Sequence, residues 1–406
     1  MTLSNASASH YSQALSNLHA LIICSNSASH LWPISRVHAP LELVPDASGG
    51  LSPLAKAIQA LRPYCEGNVI IAVPQDIAPH VQRHIAEHSL LRAGEYQLLI
   101  EPHPRGTALT TALASATVKL ADPHALLVCL PANVAFDADS RWEQALKKAH
   151  QAAEMNRIAL IGSSVPPSHR SAHDRNPFLL PPDQANREAL PLLGTIRMGP
   201  ENREIEGVYQ VRSFIARPAP AVAWRAQQNK SLWNTHIFML KADLALAEMR
   251  AAERGSDDPR MRSVARIAET ARFFVSLGDE HWGSREASEL VETLPMLSFE
   301  EAVFETSSLL AAVPTSIEFS DLTSLSGYVR SILPDASGNR LRGRALAVQT
   351  RDTAVLADAG KLIVTLGIDD AFVIDTPDAT LVATRNALAS MPSVIAALRN
   401  TNAPEL

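Results

Sequence analysis

The sequence predicts an α/β fold: a mostly parallel, doubly wound sheet followed by a small all-β module. Between residue 21 and about residue 150, short apolar runs alternate with segments of helical spacing, a pattern typical of parallel sheets with helices on both faces. From residue 344 on, five short strands separated by turn residues recur at roughly ten-residue spacing. Such regular strands indicate either a fragment of a β-sandwich or the coils of a β-helix.

The elements of the larger part follow from these patterns in order. Apolar runs predict strands over Leu21–Cys24, Asn68–Val73, Tyr96–Ile100, Ala125–Leu130, Ala159–Ser163 and Ser231–Lys241, with two more strands inside Gly194–Arg217. Helical spacing predicts helices over Leu51–Arg62, Ile77–His88, Thr107–Leu120, Asp139–Met155, Ala242–Thr270 and Leu297–Leu310. On the last of these helices, Glu300 and Glu305 are expected to be solvated.

Two segments are expected to be irregular. Ser164–Pro191 is too rich in proline for a helix or a central strand, and we expect a long surface loop. Pro334–Asn339 is the expected linker to the all-β module, whose strands are expected at Arg344–Val348, Ala354–Ala357, Leu362–Leu366, Ala371–Asp375 and Thr380–Thr384.

Composition excludes several classes of function. The chain has 406 residues, of which 46% are apolar and 19% charged, and its net charge of −6 argues against nucleic acid or an anionic membrane as the partner. The three cysteines have no paired spacing and are expected to be buried thiols. No apolar run is long enough to cross a membrane, and Met1–His19 lacks the features of a signal peptide. A cytoplasmic protein without membrane insertion is therefore expected.

The segment Leu21–Arg36, LIICSNSASHLWPISR, is the most informative feature of the chain. A short apolar strand runs directly into a turn of small residues, and α/β folds use such turns to bind phosphate through backbone N–H groups. The segment resembles the signature loop of the mannose-1-phosphate guanylyltransferases, G-G-x-G-S/T-R-L-x-P-L/I-S/T. The matching positions are Ser27, Ser29, Leu31, Pro33, Ile34, Ser35 and Arg36.

Further blocks resemble the same family and occur in the family's order. They are Glu101–Ala108 (E-P-x-x-R-N-T-A), Leu130–Asn133 (L-P-A-D), Glu206–Pro218 (E-G-V-x-x-V-x-S-F-V-E-K-P), Trp233–Thr235 (W-N-S), Phe319–Leu322 (W-N-D-V) and the tail Asp335–Arg385. The resemblance implies a Rossmann-like nucleotidyltransferase domain with a mixed, mostly parallel sheet, followed by a small left-handed β-helix-like domain. The implied divisions are an N-terminal extension (1–19), the nucleotidyltransferase-like domain (20–333, with the loop 164–191 as an insertion), and a β-helix-like domain with a C-terminal helix (334–406).

The resemblance also implies a binding site. Nucleotide-binding positions are Ser25, Asn26, Ser27, Ser29, Arg105, Pro131 and Ala132, and sugar-phosphate-binding positions are Gly194, Arg217 and Asn234. Asp321 is the implied Mg²⁺ ligand, and the metal is expected only if the protein is active. Taken residue by residue, Arg105 is equally a surface cation or a phosphate contact, Asp321 is either a loop-capping aspartate or a metal ligand, and Trp233 is expected in the core.

Several of the family's functional residues are replaced here. Ser25, Asn26 and Ala28 stand for the loop glycines, His30 for the signature arginine, and Asn133 for a metal-binding aspartate. In addition, Leu41 replaces a lysine, Ala216 a glutamate and His236 a glycine. No catalytic residue is assigned; the corresponding family positions are His30, Arg105 and Asn133.

Two hypotheses about function follow. The first is a guanylyltransferase homologue that is catalytically impaired or inactive and acts as a nucleotide-sugar-binding, regulatory or scaffolding protein. The second is an active mannose-1-phosphate guanylyltransferase with a rearranged site, in which Arg170 or Arg175 of the insertion supplies the missing charge. A different ligand altogether stays open. The expected partners are GDP-mannose or a guanine nucleotide, and either a second copy of the chain or an active paralogue.

Overall fold

A computed structural model provides the fold. It describes residues 14–25, 31–36, 39–45, 47, 50–165, 193–219, 222–223, 225–226, 229, 231–252, 259–278, 284–322, 325–358 and 360–405. Most of the predicted loop 164–191 therefore lies outside the described residues.

The larger part of the chain is built on one mixed sheet. Its strands are β1 (Leu18–Ile23), β2 (Val69–Pro74), β3 (Tyr96–Glu101), β4 (Leu126–Pro131), β6 (Ile158–Ser163), β7 (Thr195–Glu201), β8 (Tyr209–Ile215), β9 (Leu232–Lys241) and β10 (Leu310–Thr315). Their order is β3-β2-β1-β4-β9-β6-β10-β8-β7. Only β8 and β9 of these nine run against the others, so the sheet is mostly parallel, as predicted.

Helices cover both faces of this sheet. They are α1 (Pro53–Leu61), α2 (Ala78–Glu87), α3 (Thr107–Ala121), α4 (Ser140–Glu154), α5 (Ala242–Ala251), α6 (Pro259–Leu277) and α7 (Arg285–Glu292). Alternate residues of β1 face opposite sides: Leu21 packs with α3, α5 and α6, whereas Ile22 packs with α1, α2 and α4. Side-chain caps begin three of these helices: Ser52 accepts the Ala55 N–H at 3.2 Å, Asp139 that of Arg141 at 2.9 Å and Ser284 that of Ala287 at 3.1 Å.

The C-terminal strands form β-helix-like coils. They are β12 (Arg340–Gly343), β13 (Ala345–Val348), β14 (Ala354–Ala357), β15 (Ile363–Leu366), β16 (Ala371–Asp375) and β17 (Thr380–Thr384). Strands β12, β14 and β16 stack in parallel, β13 and β15 stack in parallel beside them, and β17 folds back antiparallel on β16. Two short helices, α8 (Leu325–Val329) and α9 (Met391–Asn400), flank the coils. The β-helix alternative is thus the correct one.

Three predicted elements need correction. Strand β1 begins at Leu18 and not at Leu21, and the predicted helix Ala242–Thr270 is divided between α5 and α6. The predicted helix Leu297–Leu310 is wrong: a single helical turn covers Glu300–Phe304, and the strand β10 follows. Tertiary contacts override the helical pattern there, because Leu297 bonds through its backbone to the residues that precede α3 and begin it.

Among the described residues, no helix is both long enough and apolar enough to cross a lipid bilayer.

Candidate functional site

The ends of β1 and β4 bring two motif segments to one edge of the sheet. Ile23 pairs with Pro131 in the parallel ladder, and Ala132 donates its N–H to the Ile23 carbonyl at 2.9 Å. Ser25 and Asn133 therefore follow directly at the carboxyl edge of neighbouring strands, where open α/β sheets bind ligands. Of the signature loop, residues 26–30, and with them Asn26, Ser27, Ser29 and His30, lie outside the described residues.

The second half of the signature segment, from Leu31 on, packs against the β-helix-like domain. Leu31 is fully buried in a core that it shares with Phe372 of β16, and Trp32 donates its indole N–H to the Glu405 carbonyl at 2.9 Å. Leu41, at the position of the family's lysine, is 1% exposed in the same core. The β-helix-like domain therefore helps to position the residues at the end of the signature loop.

Two carboxyl groups that sequence reasoning missed are buried near these strand ends. Glu42 accepts the N–H of Ser25 at 2.8 Å, and Glu101 accepts the hydroxyl of Thr110 at 2.8 Å. Burial raises the pKa of Glu42 and of Glu101 to about 7 in each case. Glu101 stands inside a family motif, but no local pattern distinguishes a buried glutamate from a solvated one.

Arg105 is engaged with the backbone of a helix end. Its guanidinium donates to the carbonyl oxygens of Val291 at 3.3 Å and Glu292 at 2.6 Å, both in the last turn of α7. The next residue, Gly106, has φ +86°, and a Cβ there would collide with the carbonyl oxygen of Leu297. Neither alternative considered for Arg105 included this anchoring contact.

The two positions implied in metal binding are neighbours. Strand β5 (Val134–Phe136) pairs antiparallel with β11 (Phe319–Asp321), so that Asp321 lies opposite Val134. In addition, Leu322 donates its N–H to the carbonyl of Asn133 at 2.9 Å. The side chain of Asp321 is outside the described part. Mg²⁺ prefers carboxylates, so one amide and one carboxylate form a poorer donor set than two carboxylates.

Within the described ranges, no group of three or more histidine, cysteine, aspartate or glutamate side chains is arranged to hold a metal ion. The three cysteines, as expected, are buried thiols.

Two of the three implied sugar-phosphate residues are in contact with each other. Asn234 is 1% exposed, and its backbone N–H donates to the carbonyl of Gly194 at 2.8 Å. Arg217 is exposed and lies 3.6 Å from the Glu301 carboxylate. The structure thus brings Gly194 and Asn234 into direct contact, while Trp233 is buried in the core, as expected.

The expectation that Glu300 and Glu305 are solvated is wrong for Glu300. Its carboxylate is buried and lies 2.8 Å from Nδ1 of His236. Burial raises the pKa of Glu300, but the hydrogen bonds from His236 and Asn234 and the charge of His236 outweigh it and hold this pKa below its usual value. Glu305 accepts the N–H of Ala216 at 3.2 Å. These contacts join residues far apart in sequence, so helical periodicity could not reveal them.

Comparison with known proteins confirms the resemblance. Residues 343–396 match the family described as MannoseP isomerase/GMP-like beta-helix domain. The mannose-1-phosphate guanylyltransferase of Escherichia coli K12 is 25% identical over 391 residues, covering 94% of this chain and 73% of the relative. The alginate biosynthesis protein AlgA of Pseudomonas aeruginosa is 26% identical over 378 residues, covering 92% of this chain and 71% of the relative.

The fold also agrees with a solved structure. The crystal structure titled mannose-1-phosphate geranyltransferase, from Thermus thermophilus, superposes with a TM-score of 0.74 at 22% identity, covering 94% of this chain and 99% of that one. This similarity shows that the two proteins share their fold across nearly the whole of this chain.

Proposed function

We propose that this chain, which is homologous to mannose-1-phosphate guanylyltransferases over most of its length, binds a nucleotide sugar. We also propose that it does not catalyse efficient nucleotidyl transfer. The ligand that we propose is GDP-mannose or a related guanine nucleotide. Because one relative is an alginate biosynthesis protein, we place the protein's role in the control of polysaccharide precursors.

The pairing of β5 with β11 carries this proposal. It places Asn133 beside the backbone of Asp321, at the two positions where the resemblance implies metal-binding aspartates. Mg²⁺ would supply charge neutralisation for the transferring phosphoryl group, and an amide ligand contributes no negative charge to hold it. Losing one preorganised charge contact costs about 3 kcal/mol of transition-state stabilisation, which corresponds to more than a hundredfold in rate.

Two further replacements support the same conclusion. Leu41 is buried in an apolar core, so this position supplies no cation to a triphosphate. Ala216 replaces the glutamate of the family's E-K-P block and has no side-chain carboxylate to bind a sugar hydroxyl. Binding of a finished nucleotide sugar is less demanding, because no negative charge has to be stabilised in a transition state.

The proposal is tested with the purified full chain in two assays. Isothermal titration should show GDP-mannose binding that is independent of Mg²⁺, and incubation with GTP, mannose 1-phosphate and Mg²⁺ should release no pyrophosphate above background. The matched variant is Asn133→Asp, which restores a carboxylate and should introduce a Mg²⁺ dependence of binding. Metal-dependent turnover by the unaltered chain would contradict the proposal and establish the active-enzyme alternative.

We further propose that the protein is a homodimer joined through its β-helix-like domain. Outward-facing apolar side chains of β13 and β15, and of the residue before β15, form a patch in which each is 40–66% exposed: Leu346, Val348, Leu362, Val364 and Leu366. In the described residues β15 pairs with β13 alone, so its outer edge can accept a strand. Two copies of this edge related by a twofold axis would oppose Val364 to itself and Leu362 to Leu366, a self-complementary contact.

Sedimentation equilibrium tests the dimer. The unaltered chain should sediment as a dimer and the variant Val364→Lys as a monomer, because a charge at the centre of the patch opposes burial. The control Leu120→Lys changes an exposed leucine of α3 and should leave the mass unchanged. A monomeric unaltered chain, or one that associates only with an active guanylyltransferase, would contradict the homodimer.

A further inference from the structure

His236 has a backbone conformation that histidine rarely adopts. Its φ is +61°, in the left-handed region that favours glycine, and it lies where β9 bulges against β6 between Ile161 and Gly162. A side chain in this region raises the energy of the folded state, and such strain is often stored at functional sites. Something in the structure must therefore hold His236 in place.

The groups that hold it are buried and polar. Glu300 lies 2.8 Å from Nδ1, and the side-chain oxygen of Asn234 accepts the His236 backbone N–H at 3.2 Å. Asn234 also hydrogen-bonds to Glu300. A carboxylate hydrogen-bonded to Nδ1 fixes the orientation of the imidazole ring. The imidazole itself is 33% exposed, so a ligand can reach it.

The strand pairing places this histidine at the carboxyl edge of the sheet. Cys129 of β4 pairs with Phe238 of the antiparallel β9. This pair is the last of the ladder, and because β9 runs antiparallel to β4, His236 lies beyond it on the side of the carboxyl end of β4, the edge that also carries Asn133. Asn234, one of the implied sugar-phosphate residues, is two positions away on the same strand.

We infer that His236, held by Glu300 and Asn234, directly binds a phosphate group of the bound nucleotide sugar. The inference rests on the proposed function, and it identifies the group that recognises the diphosphate without a metal ion. An imidazolium donates a charge-assisted hydrogen bond to a phosphate oxygen. The protein itself thereby supplies a positive charge at the phosphate. Asn133 is poorly suited to supply this charge by binding Mg²⁺.

The variant His236→Gly separates binding from backbone strain. Glycine relieves the positive φ but leaves the buried Glu300 carboxylate without its imidazole partner, so the thermal unfolding of this variant is recorded as the check that it folds. At the same time it should bind GDP-mannose at least tenfold more weakly in a Mg²⁺-free titration. Glu300→Gln, which keeps the shape but removes the charge, should weaken binding by a smaller factor. The control Gln349→Gly changes an exposed residue with φ +49° in the β-helix-like domain and should leave affinity unchanged.

The results distinguish failure of this inference from failure of the proposed function. If the unaltered chain binds GDP-mannose and His236→Gly binds it equally well or more tightly, the histidine is no phosphate ligand and the inference is overturned. A second measurement uses inorganic phosphate and follows the His236 ring protons by NMR, where a saturable shift is expected. A saturable shift without GDP-mannose binding would uphold the anion contact and refute the proposed function, and no shift would refute the contact.

Discussion

Arg36, the last residue of the signature segment, forms an ion pair with Asp378, a residue 342 positions later in the β-helix-like domain. One guanidinium nitrogen lies 2.6 Å from the carboxylate and 2.9 Å from the hydroxyl of Thr376. The hydrogen bond from Arg36 holds the pKa of Asp378 below its usual value. The contact joins the beginning of the nucleotidyltransferase-like domain to the end of the chain.

Breaking this pair should loosen the connection between the two domains. We expect Asp378→Asn to lower the free energy of unfolding by about 1 kcal/mol, a modest value because the carboxylate is half exposed. Urea denaturation measures this change. The control Asp369→Asn, at an exposed aspartate of the same domain, should have no effect; equal stability of all three proteins would show that the pair contributes nothing.

The buried carboxyl group of Glu42 predicts a dependence of stability on pH. Its pKa is about 7 in the folded protein against an ordinary 4.5, so the folded state binds this proton more tightly than the unfolded chain. The stabilisation is fully present below pH 4.5 and is lost as the pH rises through 7. Glu42→Gln cannot lose a proton and should gain on the order of 2–3 kcal/mol relative to the unaltered chain between pH 4.5 and pH 8.

Denaturant titrations across this pH range test the prediction for Glu42. Glu204→Gln, at an exposed position, is the control and should follow the unaltered chain at every pH. A constant difference between Glu42→Gln and the unaltered chain from pH 4.5 to pH 8 would mean that Glu42 does not carry the linkage.

Gly106 should be intolerant of any side chain. A Cβ at this position meets both a positive φ and the carbonyl oxygen of Leu297, so Gly106→Ala should destabilise the protein by more than about 2 kcal/mol. Gly94 has a similar φ of +88° with nothing within 4 Å of the added Cβ, so Gly94→Ala should cost only about 1 kcal/mol. Thermal unfolding of the two variants compares these costs, and equal losses would show that the contact with Leu297 is unimportant.

Arg105 is expected to stabilise the fold and not to bind the ligand. Arg105→Ala removes two hydrogen bonds to the end of α7 and should lower the free energy of unfolding by about 1–2 kcal/mol. GDP-mannose affinity should change less than about twofold, since the guanidinium is engaged with carbonyl oxygens. Arg285→Ala, at a residue whose side chain is 88% exposed, is the control for stability. Lost binding with unchanged stability would instead make Arg105 a phosphate ligand.

Local hydrophobic patterns in the sequence were sufficient to predict most strands of the sheet. The apolar runs that predicted Ala125–Leu130 and Ala354–Ala357 correspond to β4 and β14 within one residue. These features could be predicted because burial of an apolar face and turn chemistry act over a few neighbouring residues. The contact between Gly194 and Asn234, by contrast, was anticipated only through the family resemblance, which assigned both to one sugar-phosphate site.

The sequence by itself therefore determined the mostly parallel sheet, the β-helix-like tail and the replacement of charged residues at the family's functional positions. Only the tertiary structure decided what the remaining charged groups contact: Glu42 with the N–H of Ser25, Arg105 with the end of α7, and Glu300 with His236. The physical reason is that the free energy of a charged side chain depends on its solvation and on partners distant in sequence. Neither the solvation of a charged side chain nor its distant partners can be predicted from the residues next to it in sequence.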